Sequence, residues 1–385
     1  MLNTKEWRHE QMKVVKVKTT DEKERYYLED DHGVPVESVL RFIRFKDNTN
    51  YARNTLRMYC HHLKLYFEYL ELKEVDYQEI TIDDLALFIN WLQRPGGNPK
   101  VIPINEGSAQ RTPATINVIL GTVMTFYDYI QRNDELGSRI SEKVRSFITR
   151  PANRYKSFLY GIAGENRKIK SSILHLRVAR RESRTITKNE MGILLETVTN
   201  VRDRFLLMIL FETGMRIGEV LSLWLEDFDI EELCIDLKDR GELENNAEIK
   251  TVTSPRRIDV SQDLMDIFME YITHVHAEEV STNHVFIKLG GKNCHHAMDY
   301  EDVHNLFRRL EAATEIKVTP HMLRHTSLTL LRQSGWEAEL LRVRAGHKNI
   351  YTTLNHYIHP SREEVTKAFK ASLNISADAR GWQGE

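Results

Sequence analysis

From Thr55 onward apolar side chains recur with a helical period. Leu56, Tyr59, Leu63, Tyr66, Phe67 and Leu70 share one face only if the chain turns every 3.6 residues. Asn54 or Thr55 stands where a cap belongs. The same period returns twice. Thr81 precedes Ile82, Asp84 puts an acid in the first turn, and Leu85, Phe88, Ile89 and Leu92 make the stripe. Thr112 and Pro113 then supply a cap and a first-turn proline for a helix through Ile116, Ile119, Val123, Phe126, Tyr127 and Ile130. The Pro, Gly and Asn content of 95–110 marks the loop between them. Each stripe has to be buried against another, so this stretch predicts an all-helical domain.

The flanks read differently. KVVKVK and RYYLE, with polar residues between, predict two short strands or a hairpin, followed by a turn at Gly33-Val34-Pro35 and a helix over 36–45. Further on, Thr187 and Glu190 form a capping box, and the thoroughly apolar helix of 201–214 is stopped by Gly214. IEELCIDLK and EIKTVTSPRRIDV, separated by polar GELENN, read as strands of a small sheet. Helices are expected near 261–277, 300–314, 320–334, 336–345 and 361–371. The fold class is therefore mainly α: an all-helical domain, then a mostly helical domain with a small antiparallel β-sheet. No internal repeat is visible.

At 385 residues the chain has room for two or three domains, at roughly 150 residues each. The three cysteines, Cys60, Cys234 and Cys294, lie far apart and lack metal-ligand spacing, which supports neither a disulfide framework nor a CxxC zinc site. No apolar run approaches the roughly 18 residues of a membrane span, and MLNTKEWRHEQMK lacks the apolar segment of a signal peptide. A cytoplasmic protein is expected. The net charge of −2 argues against a polyanionic partner until its distribution is considered. Residues 141–190 hold 13 Lys or Arg against four Glu, a local balance of +9. Such a segment is either a phosphate-facing linker or an ordinary solvated loop.

Four local signals stand out in the second domain: Arg216 in ETGMRIGEVLSLW, Lys250 in EIKTVTSPRR, His321, Arg324 and His325 in TPHMLRH, and His347 and Tyr357 in AGHKNIYTTLNHYIH. Each alone has a bland reading, as a surface ion pair, a strand end or a packing residue. His321 and His325 sit four apart like zinc ligands, but the motif lacks an internal Glu and an evident third ligand. Together the residues suit a phosphodiester. Guanidiniums grip non-bridging oxygens and stabilise a pentavalent transition state, while a tyrosine can form a covalent adduct that keeps the bond energy for resealing. Spacing alone does not bring these positions together.

These motifs resemble those of the tyrosine recombinases, or phage integrases, in particular the integrases and transposases of bacterial mobile elements. TGMRIGEVLSL matches the first arginine box, which assigns Arg216 with Glu219 in support; HMLRH matches the second, with His321, Arg324 and the supporting His325. AGHKN carries His347, YTTLNHYIH carries the nucleophile Tyr357, and Lys250 fits the lysine of the sheet turn. The resemblance implies a helical core-binding domain at 49–165 and a basic linker at 166–184; the small α/β extension at 1–48 before them is either an additional DNA-contacting arm or an ordinary structural extension. A catalytic domain at 185–372 and a tail at 373–385 complete it. It implies a two-domain grip on double-stranded DNA, with Arg177, Arg180, Arg181 and Arg184 near the backbone. It further implies a 3'-phosphotyrosyl intermediate, a Holliday junction and a homo-tetramer on two DNA sites, with a possible accessory DNA-bending or directionality protein. No cofactor or metal is expected, and the place of action would be the nucleoid of a bacterium.

The sequence departs from the family pattern in three ways, the first being that its N-terminal 45 residues have no family counterpart. His347 and Tyr357 are ten residues apart, one more than expected, which leaves Tyr351 as a rival nucleophile. Asp259 replaces a proline usual near the end of the sheet, which leaves Lys238 as a rival to Lys250. Two other classes compete: a non-cleaving sequence-specific DNA-binding protein, and a zinc-dependent hydrolase centred on His321 and His325.

Overall fold

The computed structural model describes residues 12–20, 23–94, 110–133, 145–148, 169–172, 174–178, 184–249, 253–276, 280–357 and 366; for 145–148, 169–172 and 354–357 it describes the backbone alone. The chain divides into two compact units, Met1–Arg180 and Arg181–Glu385. Among the described residues no helix is long and apolar enough to cross a membrane.

The first unit opens with strands β1 (Lys13–Lys18) and β2 (Glu24–Glu29), an antiparallel hairpin in which Val14 faces Leu28 and Lys18 faces Glu24. Helices α1 (Glu37–Asn48), α2 (Arg53–Lys73), α3 (Ile82–Gln93) and α4 (Pro113–Arg132) follow. The caps expected at Thr81 and Thr112 form: Thr81 and Asp84 satisfy each other's backbone N–H groups as a capping box, and Thr112 accepts from the N–H of Thr115 ahead of the Pro113 turn. The cap expected at Asn54 or Thr55 does not, because α2 already begins at Arg53 behind Ala52, whose side chain offers no acceptor, and both residues lie within its first turn. Leu28 of the hairpin and Val39 and Phe42 of α1 are buried in the same core as the stripes of α2, α3 and α4. Arg25 of β2 binds Asp47 of α1 at 2.7 Å, so the hairpin is pinned by charge as well as by burial. Aromatic rings meet edge to face at the centre, Phe42 against Phe126 and Tyr66 against Tyr127, where burial satisfies the quadrupoles as well as the apolar surface. A reciprocal pair of hydrogen bonds, both 2.9 Å, ties the Asn117 side chain on α4 to the backbone of Leu176.

Strands β3 (Arg145–Ile148) and β4 (Ile169–Ser172) pair antiparallel within the stretch expected to be helix end and basic linker. Four-residue strands with one or two apolar positions carry too little alternation to be recognised locally.

The second unit is built on α6 (Val201–Thr213), which follows α5 (Lys188–Thr197) and its capping box at Thr187 and Glu190. Phe205, Leu206, Leu207, Ile209 and Leu210 are all buried, which explains why α6 reads as apolar on every side. Truncating one of these, as in Leu206→Ala, would cost about 2–5 kcal/mol. Gly214 ends the helix at φ +64°, and a Cβ there would lie 3.1 Å from Ser327 Oγ. The short helix α7 (Ile217–Leu221) comes next, then strands β5 (Phe228–Asp229), β6 (Cys234–Leu237) and β7 (Arg256–Asp259), in sheet order β5-β6-β7 and antiparallel throughout. The expected second strand is shorter than its pattern: among the described residues only 256–259 of EIKTVTSPRRIDV are in the sheet. Helices α8 (Gln262–Val275), α9 (Tyr300–Thr314), α10 (Pro320–Gln333), α11 (Ala338–Ala345) and α12 (Ile350–Tyr357) complete the unit. The helix expected at 361–371 lies outside the described residues apart from position 366, and α12 was not foreseen. The chain is mainly helical with small antiparallel sheets.

Candidate active site

A cleft of 390 Å³ in the second unit is lined by Arg216, His321, Arg324, His325 and His347, joined by Glu248, Tyr300 and Thr352. Tyr300 opens α9 and Glu248 lies in the segment between β6 and β7; the other groups come from four places. Arg216 caps α7, His321, Arg324 and His325 come from α10, His347 follows α11, and Thr352 belongs to α12.

Glu219 organises the floor. It is 1% exposed, and its carboxylate accepts from Arg216 Nη1 at 2.6 Å and Arg256 Nη2 at 3.0 Å, with Arg324 Nη1 at 4.0 Å. It also takes the backbone N–H of Arg216 at 2.9 Å, closing the first turn of α7. Burial pushes the carboxyl up, but Arg256, Arg216 and Arg324 outweigh it and hold the group at about 2. With Glu248 as a second carboxylate, on the lining, the three guanidiniums still outnumber the acids, three to two, as an anion site requires.

Arg324 is only 2% exposed and is fixed at both ends of its fork. Nη1 donates to Gly214 O at 2.6 Å, while Nη2 donates to Ala345 O at 2.7 Å and to His347 Nε2 at 3.0 Å. Arg216 reaches Gly346 O through Nη2 at 3.2 Å. The two arginines are thus preorganised on the backbone of the turns that carry the other cleft residues, so little reorganisation is left for the moment of reaction. His321 and His325 face each other, Nε2 to Nε2, at 2.9 Å, and this contact admits one proton between them. His325 is buried and His321 exposed at the mouth. Among the described residues no three His, Cys, Asp or Glu side chains converge to hold a metal ion.

The remaining assigned residues are distributed as follows. Tyr357 is the last residue of α12, the helix that enters the cleft with Thr352. Lys250 lies outside the described residues, as do Arg180 and Arg181. Lys238, the rival lysine, sits 3.5 Å from the buried Asp227 and does not line the cleft; Tyr351, the rival tyrosine, is 66% exposed and does not line it either. Arg177 and Arg184 are exposed, and Arg184 is engaged with Glu190 of the α5 capping box at 2.5 Å.

Arg256, the first arginine of EIKTVTSPRR, has no part assigned by any sequence motif. Besides Glu219 it binds Arg344 O at 2.7 Å and Ser254 O at 2.6 Å, joining β7 and α11 to the Arg216 box. Its partners are remote in sequence, so the one local signal was two consecutive arginines entering a strand.

Fold and site together define a class: a helical domain followed by a mixed domain whose cleft presents a buried Arg–His pair and a second arginine. Residues 184–364 match the phage integrase family, and residues 41–133 match the phage integrase N-terminal SAM-like domain. Transposase A from transposon Tn554 of Staphylococcus aureus is 35% identical over 348 residues, covering 90% of this chain and 94% of its own length. The tyrosine recombinase XerC of Leptospira interrogans is 23% identical over 337 residues, covering 87% and 92%. The solved structure of the Tn1549 transposon integrase in complex with transposon right end DNA has the same fold, with a TM-score of 0.61 at 18% identity, covering 88% of this chain and 98% of that one. The chain belongs to the phage integrase family, the tyrosine recombinases, and is related to the integrases and transposases of bacterial mobile elements.

Proposed function

We propose that the protein cleaves and rejoins double-stranded DNA at specific sites through a 3'-phosphotyrosyl intermediate. The observation that carries this reading is the convergence of Arg216, Arg324 and His347 in one positive cleft beside the helix that ends in Tyr357. Tyr357 Oη attacks the scissile phosphorus; an O–P bond forms to the tyrosine and the bond from phosphorus to the 5'-oxygen breaks. Arg216 and Arg324 hold the non-bridging oxygens, with His347 assisting, so that negative charge grows where donors already point. Lys250 gives its proton to the departing 5'-oxygen, and the His321–His325 pair takes up the proton that leaves Tyr357 Oη. The adduct conserves the backbone bond energy, so a 5'-hydroxyl from a second duplex reverses the step, and two such exchanges pass through a Holliday junction. A homo-tetramer on two DNA sites is the working assembly, with the exposed Arg177 contributing phosphate contacts that set affinity and salt dependence. The relatives point the same way: the Tn1549 integrase was solved on transposon right end DNA.

A zinc hydrolase would need a third ligand beside His321 and His325, and among the described residues none converges there. The test uses a nicked duplex carrying candidate element-end sequence, incubated in EDTA with the native chain and with Tyr357→Phe. A covalent protein–DNA adduct on a denaturing gel is expected from the native chain alone. Adduct formation by Tyr357→Phe transfers the nucleophile role to Tyr351, and loss of the native adduct on adding EDTA rejects the metal-independent mechanism. A duplex that is bound specifically but never cleaved favours the non-cleaving DNA-binding protein.

A further inference from the structure

We propose that Thr353 is a positioning residue for strand cleavage: its hydroxyl fixes the tautomer of His347 and, through the same hydrogen bond, docks the helix that ends in Tyr357. The inference rests on the reading of the cleft given above.

The geometry leaves one protonation pattern for the resting imidazole. A guanidinium offers donors and no acceptor, so the 3.0 Å contact between Arg324 Nη2 and His347 Nε2 requires a lone pair on Nε2. The proton of the neutral ring is therefore on Nδ1. Its acceptor is Thr353 Oγ1, at 2.9 Å. His347 is buried and Thr353 is 0% exposed, so solvent does not replace the hydroxyl. Second partners of this kind decide which ring nitrogen faces the chemistry.

The same bond has a mechanical consequence. Thr353 lies on α12, about one turn before Tyr357, and its neighbour Thr352 is exposed and lines the cleft. His347 belongs to the turn after α11 and is held there by Arg342, whose Nη1 donates to the His347 carbonyl at 3.1 Å. The hydrogen bond thus spans from the helix bearing the proposed nucleophile to the histidine of the phosphate grip. The charged and titratable groups around the ring are Arg324 from α10, Arg342 from α11, and Arg216, Glu248, His321 and His325 on the cleft wall. Protonation at Nε2 would set two donors face to face at Arg324; a phosphoryl oxygen seated between them accepts from both. His347 is then ready to donate only when substrate is present, with Thr353 still receiving Nδ1–H.

The test compares Thr353→Val, which keeps the shape and removes the hydroxyl, with Thr353→Ser, which keeps the hydroxyl. Adduct formation on the nicked duplex is followed against pH, and DNA binding is followed on native gels. Thr353→Val is expected to cleave roughly 10- to 100-fold more slowly while binding DNA normally. Its basic limb is expected to move toward acid, because the imidazolium has lost an acceptor, and Thr353→Ser restores most of the rate. Native-like cleavage and an unmoved profile in Thr353→Val overturn the inference, as does a Thr353→Ser as slow as the valine variant. Proton–nitrogen NMR of the His347 ring in the full native chain supplies a readout independent of cleavage: a proton on Nδ1 is expected, and a proton on Nε2 overturns the inference. If the native chain forms no adduct on a duplex that it binds, the cleavage reading falls and this positioning role with it; a native adduct with indifferent Thr353 variants defeats the positioning role alone.

Discussion

Glu219 Oε2 accepts a hydrogen bond from Arg256 Nη2 at 3.0 Å, across 37 positions of sequence. The other oxygen accepts from Arg216, so one buried carboxylate orients the first arginine of the cleft and anchors β7 beneath it. Glu219→Gln keeps the shape and removes the charge. Three guanidiniums then crowd an uncharged amide in a desolvated floor, and breaking a buried pair in this way costs about 3–5 kcal/mol. The urea midpoint of the variant is expected to fall accordingly, and adduct formation with it, since Arg216 loses the partner that holds its fork. An unchanged midpoint would mean that the arginines are retained by the backbone carbonyls alone.

The same carboxylate makes the fold acid-sensitive in a defined window. Its ordinary value is 4.5, and in the folded protein the arginines hold it at about 2 despite burial. Between those values the unfolded chain binds the proton and the folded chain does not, so stability falls as pH is lowered. The contribution is fully present above about 4.5, amounts to about 3 kcal/mol, and is lost as pH falls through about 2. Urea titrations of the native chain and Glu219→Gln at a series of pH values are expected to converge on acidification, because protonated Glu resembles Gln. Curves that stay parallel down to the acid limit would assign the acid sensitivity to other carboxylates.

How much of this was legible depends on the range of the interactions. The stripes of α2, α3 and α4 and the caps at Thr81, Thr112 and Thr187 are written within a few residues, and α3, α4 and α5 start where those caps stand. The β3–β4 pair and α12 were not foreseen, because four residues of strand or eight of helix carry too few periods to be distinguished from a loop. In the cleft, Arg216, His321, Arg324 and His347 each sit in a contiguous motif, and the fold brings them to one wall. Arg256 and Thr353 stand inside EIKTVTSPRR and YTTLNHYIH, but neither motif gives them a part. Arg256 acquires its part from Glu219 and Arg344, and Thr353 from a ring in the preceding turn, so both emerge only from tertiary geometry.

Gly346 sets the spacing between the turn after α11 and the arginine floor. Its φ is +61°, and a Cβ there would stand 2.7 Å from Arg256 Nη1 and 3.3 Å from Thr253 O. Its carbonyl also accepts from Arg216 Nη2. Gly346→Ala therefore adds left-handed strain of about 1–2 kcal/mol to a displacement of Arg256, and slower cleavage is expected beyond the loss of stability. Gly335→Ala is the control: its φ is +100° but nothing lies within 4 Å of the added carbon. A lower urea midpoint with native cleavage is expected there. Equal cleavage by the two variants would detach Gly346 from the chemistry.

The general acid can be isolated by changing the leaving group. An alkoxide leaves phosphorus poorly without a proton, whereas a thiolate is stable without one near neutral pH, so a duplex with sulfur at the 5'-bridging position needs no acid. Lys250→Ala is expected to form adduct on the ordinary nicked duplex at a rate lower by about 10²- to 10⁴-fold, the usual contribution of a positioned acid. On the sulfur-bridged duplex it should approach the native rate. Arg324→Ala, which loses transition-state charge rather than a proton donor, should stay slow on both. Rescue of Lys238→Ala with no rescue of Lys250→Ala would move the acid to the neighbouring strand end. Equal deficits of Lys250→Ala on the two duplexes would make the lysine a phosphate ligand instead of an acid.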